Sequence, residues 1–140
     1  MPDKNTTPRS STRIAKEPII ARRVWVLTPN AKRAEMALAA IHAAGHEART
    51  SESGSDLAPQ LREWRPDIII IDMQDAPDRG RHVVAQLRAD RATRQLPAYL
   101  VGMGNGEEAL KTEKAVTGPT RRYVEPLDTP SVLDAVLNEL

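Results

Sequence analysis

The sequence contains no cysteine and no phenylalanine, and its only aromatics are Trp25, Trp64, Tyr99 and Tyr123, 3% of the chain. Without cysteine there can be no disulfide framework, no thiolate nucleophile and no Cys-based zinc or iron–sulfur centre. So few aromatic faces cannot build a stacking platform for single-stranded nucleic acid, which is therefore not an expected partner. The most strongly apolar run is the four isoleucines between Asp67 and Asp72, and no run approaches the ~20 residues of a membrane helix. No apolar stretch follows the early charges, so no secretory signal is expected. Also missing are a P-loop, a serine elbow and the Asp-x-His-x-x-Gly signature of cobalamin binding. The expectation is a soluble, cytoplasmic protein. What remains is ordinary globular material: 140 residues, 40% hydrophobic and 28% charged, enough for one domain with its own core.

Charge is unevenly distributed along the chain. Residues 1–22 carry five basic side chains (Lys4, Arg9, Arg13, Lys16, Arg22) against Asp3 and Glu17, a balance of +3, and the remaining 118 residues carry 15 basic and 17 acidic ones, a balance of −2. The first segment is rich in Ser, Thr, Pro and charge and shows no apolar period. It reads as a flexible, disordered basic arm, with residues 1–16 dispensable for folding, followed by a mildly acidic domain over 23–140.

From Pro18 onward short apolar runs alternate with longer helical patterns. Val24–Leu27 reads as a strand closed by Thr28-Pro29-Asn30, and Asn30 can cap a helix running to about Ala44. In that helix Ala34, Ala37, Leu38, Ile41 and Ala44 share one side, and Gly45 ends it. Glu47–Ser51 is a weak strand. A helix starting at Ser55 or Asp56 places Leu57, Leu61 and Trp64 on one face until Arg65-Pro66 breaks it. Ile68–Ile71 is unbroken by alternation, the mark of a strand covered on both faces. Gly80 precedes a helix with Val83, Val84 and Leu87, and Pro97 opens a strand over Ala98–Val101. A helix starts at Glu107, a last strand lies near Arg122–Val124, and a final helix begins at Thr129-Pro130. Five strand–helix units of this kind predict an α/β three-layer, doubly wound sheet of five parallel strands. Function in such sheets gathers outside the carboxyl ends of the strands. That places Thr28, Pro29, Asn30, Asp72, Gln74, Gly102 and Glu125 under scrutiny.

Three ordered segments, "RPDIIIIDMQDAPDRG", "LRADRATRQLPAYLV" and "GPTRRYVEPLDTPSVLDAVLNEL", resemble the receiver domain of bacterial response regulators. The resemblance extends over residues 23–140. It implies the flavodoxin-like receiver fold, a place in two-component phosphorelay signalling, and Asp72 as the candidate phosphoacceptor. The other positions depart from the family's pattern. Its magnesium-holding acidic pair after the first strand corresponds to Thr28 and Pro29, followed by Asn30. Its Thr or Ser after the fourth strand corresponds to Gly102, its Lys before the fifth-strand proline to Glu125, and its switch aromatic to Arg122. The sequence thus resembles a degenerate variant, a pseudo-receiver, whose altered pocket comprises Thr28, Pro29, Asn30, Gln74, Gly102, Arg122 and Glu125.

These departures have physical consequences. Phosphoryl transfer to a carboxylate relies on positioning and charge neutralisation by a divalent ion and a cation. Pro29 has no side-chain oxygen, and Thr28 and Asn30 offer neutral ones, so no cofactor is expected and a tight magnesium site is not. Glu125 sets a negative charge where the family has a positive one, an effect of about 4 kcal/mol at ~4 Å and an effective dielectric of 20. Arg121 or Arg122 could pair with Glu125, and Gly102 has no hydroxyl for the family's Thr–aromatic switch. Glu125 is expected to hold the site inactive.

The favoured expectation is a non-enzymatic, single-domain signalling protein acting through a protein partner, such as a histidine kinase. Because the sequence ends with the fifth helix, its output is expected to pass through residues 107–140, which are also the candidate surface for a homodimer. The alternatives are an atypical phosphoacceptor that takes phosphate from a histidine kinase at Asp72, and a small-ligand sensor using the degraded pocket. Elsewhere, His42 and His46 read as a surface pair and His82 as exposed. Arg81, Arg88, Arg91 and Arg94 read as a solvated face, and Gly102–Gly106 as a flexible loop.

Overall fold

The computed structural model describes residues 20–52 and 57–140; the arm up to residue 19, and the start of the second helix at Ser55 or Asp56, lie outside the described residues. Among the described residues five strands, β1 (Arg23–Leu27), β2 (Glu47–Ser51), β3 (Ile68–Asp72), β4 (Ala98–Val101) and β5 (Thr120–Arg122), alternate with five helices. The helices are α1 (Ala31–Ala43), α2 (Leu57–Trp64), α3 (Pro77–Ala89), α4 (Glu107–Ala115) and α5 (Pro130–Asn138). All strand pairs are parallel, in the order β2-β1-β3-β4-β5. This is the doubly wound α/β sheet that the alternating pattern predicts.

Alternation along the strands divides the core in two. Val24 and Val26 of β1 join Ile68 and Ile70 of β3 on the face covered by Ala37 and Ile41 of α1 and Val132, Leu133 and Val136 of α5. Trp25, Leu27, Ile69 and Ile71 point the other way, against Leu57, Leu61 and Trp64 of α2 and Val83, Val84 and Leu87 of α3. Trp25 meets Trp64 edge to face, centroids 5.8 Å apart, a geometry that favours the ring quadrupoles. Two faces of burial explain why β3 reads as solid isoleucine. Helix α4 differs from the others: Thr112 is its one buried residue, and Leu110 is 60% exposed.

Two element boundaries are corrected. Helix α3 starts at Pro77, not after Gly80, because a proline fits the first helical turn, where its missing N–H has no partner to lose. Gly80 lies inside that turn for a packing reason: a Cβ there would lie 2.9 Å from Met73 Cε and 3.4 Å from Ile71 Cγ2. Strand β5 spans Thr120–Arg122, upstream of the expected Arg122–Val124. Its register is set by Ala98, whose N–H donates to the Pro119 carbonyl, leaving Val124 53% exposed beyond the strand.

The supposed arginine face is also not wholly solvated. Arg81 donates to Thr112 Oγ1 and to Glu108 Oε1 and also pairs with Asp78, tying α3 to α4. Arg88 gives its guanidinium to the carbonyls of Thr117, Arg94, Leu96 and Pro119, at 2.7–3.0 Å. Burial among these carbonyls lowers its pKa. Arg91 and Arg94 are exposed. Arg22, counted with the arm in the sequence, already donates its N–H to His46 Nδ1 and accepts from Glu47 N–H beside β2.

Candidate functional site

Strands β1 and β3 are neighbours whose following connections run to opposite faces of the sheet. The crevice at their carboxyl ends is the topological switch point where doubly wound sheets bind ligands. Thr28 follows β1 and Asp72 ends β3, and both are buried. The Asp72 side chain has no solvent exposure. Its Oδ2 accepts from Thr28 Oγ1 at 2.7 Å and from Arg33 Nε at 2.7 Å, and its Oδ1 accepts from the Gln74 N–H at 3.0 Å. A buried carboxylate needs such donors, because an unpaired one would carry its full desolvation cost.

The sequence places these donors by local rules. Asn30 caps α1, its side chain accepting from Arg33 N–H at 2.9 Å. Its own N–H donates to Thr28 Oγ1 at 3.2 Å. Arg33 therefore sits one turn into α1, at the positive end of the helix dipole, with its side chain returning to the crevice. Arg33 Nη2 also pairs with Asp75 in the loop after β3. Burial disfavours the Arg33 charge, but its hydrogen bonds and attraction to Asp72, then Asp75, outweigh that and raise its pKa.

Arg33 and Asp75 were not among the residues singled out from the sequence, although one signal was available. The buried stripe of α1 is Arg33, Ala37 and Ile41, spaced by four residues, so a guanidinium occupies the first position of an otherwise apolar row. A charge on a buried stripe implies a buried partner.

The remaining pocket residues divide into two groups. Gln74 contributes its backbone N–H, while its side chain is exposed. Gly102 approaches the site closely: with φ at +70°, a Cβ there would lie 3.0 Å from Gln74 Cβ and 3.5 Å from Asp72 Oδ1. Pro29 is exposed. Glu125 is exposed as well, and its backbone carbonyl accepts from Gly102 N–H at 2.7 Å. Neither Arg121 nor Arg122 pairs with Glu125. Arg122 bonds Glu113 of α4 at 3.2 Å and Arg121 bonds Glu139 at 3.1 Å. The cation at Asp72 comes from α1 instead. Arg122 lines a separate groove of about 280 Å³ between α4 and β5, with Met103, Leu110, Tyr123 and Val124.

No family model matches the chain, and no curated protein does. Solved structures do match. A response regulator receiver domain from Methylobacillus flagellatus is 21% identical with a TM-score of 0.64, covering 86% of this chain and 98% of that one. The Vibrio cholerae chemotaxis protein CheY4 is 19% identical with a TM-score of 0.71, covering 86% and 98%. The chain has the receiver fold. The receiver domain of a sensor histidine kinase from Pseudomonas aeruginosa is 14% identical with a TM-score of 0.70, covering 86% and 97%, and holds a magnesium ion in its active-site cleft.

The residues of this receiver-fold crevice do not fit such an ion. Magnesium needs near-octahedral oxygens, usually including one or two carboxylates, with water completing the shell. Here both oxygens of Asp72 already accept hydrogen bonds, Thr28 spends its proton on Asp72, and a guanidinium lies against the carboxylate. Among the described residues, no three His, Asp or Glu side chains gather into a metal-binding group. No helix among the described residues is long and apolar enough to cross a membrane.

Proposed function

We propose that this chain is a non-enzymatic, cytoplasmic signalling module of two-component type, a pseudo-receiver that works through protein contacts and uses neither magnesium nor phosphorylation at Asp72. One observation carries the reading: the buried Asp72 carboxylate is engaged on both oxygens, by Thr28, Arg33 and Gln74. A nucleophilic carboxylate must offer a free lone pair to an incoming phosphorus, and must be neutralised during transfer by ions that leave the attack line open. Thr28 and Arg33 fill both acceptor sites of Oδ2, and the one site left on Oδ1 belongs to a carboxylate with no solvent exposure, already neutralised by a guanidinium.

The test is incubation with acetyl phosphate and magnesium, read by intact mass under neutral conditions that preserve acyl phosphates. No added phosphate is the expected result. Added phosphate that disappears in Asp72→Ala establishes the alternative reading, an atypical phosphoacceptor served by a histidine kinase. The small-ligand-sensor reading has less support, because Arg122 of the expected pocket lies outside the crevice and is paired with Glu113.

The α4–β5 groove within residues 107–140 and the preceding loop is the proposed contact surface for a protein partner or a second copy. Helix α4 leaves Leu110 uncovered, and the exposed Val124 lines the same groove, adjoining apolar side chains of the kind that a protein interface buries. Leu110→Asp is expected to leave the melting temperature within about 2 °C, as an exposed substitution does. Any concentration-dependent self-association seen by sedimentation should weaken in the same variant. Unchanged self-association would place the dimer contact elsewhere.

A further inference from the structure

We propose that Arg33 is a built-in counter-ion that makes this crevice indifferent to divalent metal, the guanidinium standing in for the cation that a receiver of this fold draws from solution. This inference rests on the pseudo-receiver reading and adds a cause for it. Asp72 and Asp75 are the two carboxylates at the site, and the same side chain reaches both, through Nε to Asp72 and Nη2 to Asp75. One positive charge bridging two negative ones is what a bound cation does in an acidic pocket. A divalent ion would have to displace a guanidinium that is itself nine-tenths buried and whose protonated form the two carboxylates favour.

The bridge is also anchored independently of the carboxylates. Arg33 N–H is the donor that Asn30 caps, and the Arg33 side chain shares its helix face with fully buried Ala37 and Ile41. The guanidinium is thus delivered by the fold and does not depend on an ion in solution. Asp75 is half exposed, so solvent reaches one side of the pair, and access alone does not exclude a metal. Competition by Arg33 does.

The experiment compares wild type, Arg33→Gln, Arg33→Lys and Arg33→Gln/Asp75→Asn. Melting is followed in EDTA, in magnesium chloride at about 10 mM, a level that detects weak oxygen-ligand sites, and in sodium chloride of matched ionic strength. Manganese broadening of the Thr28 and Gln74 amide signals is followed by NMR. Wild type and Arg33→Lys are expected to show no magnesium-specific shift and no local broadening. Arg33→Gln is expected to melt lower in EDTA and to recover by roughly 3 °C or more with magnesium, as ligand linkage predicts. The double variant is expected to lose that recovery. If Arg33→Gln does not fold in EDTA, refolding on adding magnesium supports the proposal and failure to refold overturns it. Manganese broadening in wild type, or an Arg33→Gln protein blind to magnesium, also overturns it. Either result leaves the acetyl phosphate test standing, because that test asks whether Asp72 accepts phosphate in the unaltered chain.

Discussion

Asp72→Asn is expected to destabilise the protein by about 2–4 kcal/mol, at the lower end of the cost of breaking a buried ion pair. For a domain of this size that is a fall of roughly 10 °C in melting temperature. Asp72 receives donors on both oxygens: Thr28 and Arg33 on one, the Gln74 N–H on the other. An asparagine has one oxygen to offer. Its amide NH2 must then face either the Gln74 N–H or the Thr28 and Arg33 donors, leaving a donor buried against a donor. Arg33 keeps Asp75 as a partner, so the loss is smaller than that of a fully orphaned charge. The sign is the informative part. In a crevice dominated by repulsion between carboxylates, neutralising one of them stabilises the fold. A rise in melting temperature in Asp72→Asn would therefore show that repulsion, not the Arg33 bridge, governs the site.

Gly118→Ala is expected to cost about 3 kcal/mol, shared between its own backbone and Arg88. Gly118 has φ at +78°, and a Cβ there would lie 2.8 Å from Arg88 Cδ and 2.9 Å from its Cζ. The left-handed backbone alone accounts for roughly 1–2 kcal/mol. The rest comes from pushing the guanidinium off the carbonyls of Thr117, Arg94, Leu96 and Pro119. Hydrogen bonds from a charged donor are worth about 1.5–3 kcal/mol each when buried. Arg88 is only half-buried, and water replaces part of what is lost, so Arg88→Ala is expected to cost about 2 kcal/mol. In the double variant the clash has nothing to strike, and only the backbone term should be added to the Arg88→Ala loss. A coupling of at least 1 kcal/mol in the four-protein denaturation cycle checks this. Simple additivity would mean that Arg88 moves aside at little cost and does not pin these loops.

Much of this architecture was legible from periodicity and punctuation. The Ile68–Ile71 run, the Asn30 cap, Pro97 before β4 and Thr129-Pro130 before α5 each carry a local physical signal, and each matches the structure. Where the structure differs, a longer-range effect decides. Val124 is apolar and resembles strand material, but the register of β5 is fixed by Ala98 pairing with Thr120, and Val124 is left outside. Gly80 resembles a helix boundary, yet it marks the close approach of Met73. At the site the sequence pointed to Asp72 and Thr28 but offered cations only for Glu125, from Arg121 or Arg122. Arg33 and Asp72 lie 39 positions apart, and no local pattern pairs two residues at that separation. Only the parallel pairing of β1 with β3 brings them together.

The left-handed backbone at Gly102 also bears on how this crevice could change. A side-chain hydroxyl at that position requires Ser or Thr, and either would be strained at φ +70° while its Cβ pressed on Gln74, the β-branched Thr the more so. Its N–H is meanwhile committed to the Glu125 carbonyl, and Met103 and Gly104 donate to Tyr123 and Val124 in the same ribbon. Placing a hydroxyl there therefore requires rebuilding the loop as well as exchanging one residue. Substitutions in the crevice that spare this ribbon meet no such barrier, whereas a single step to a hydroxyl at position 102 runs uphill.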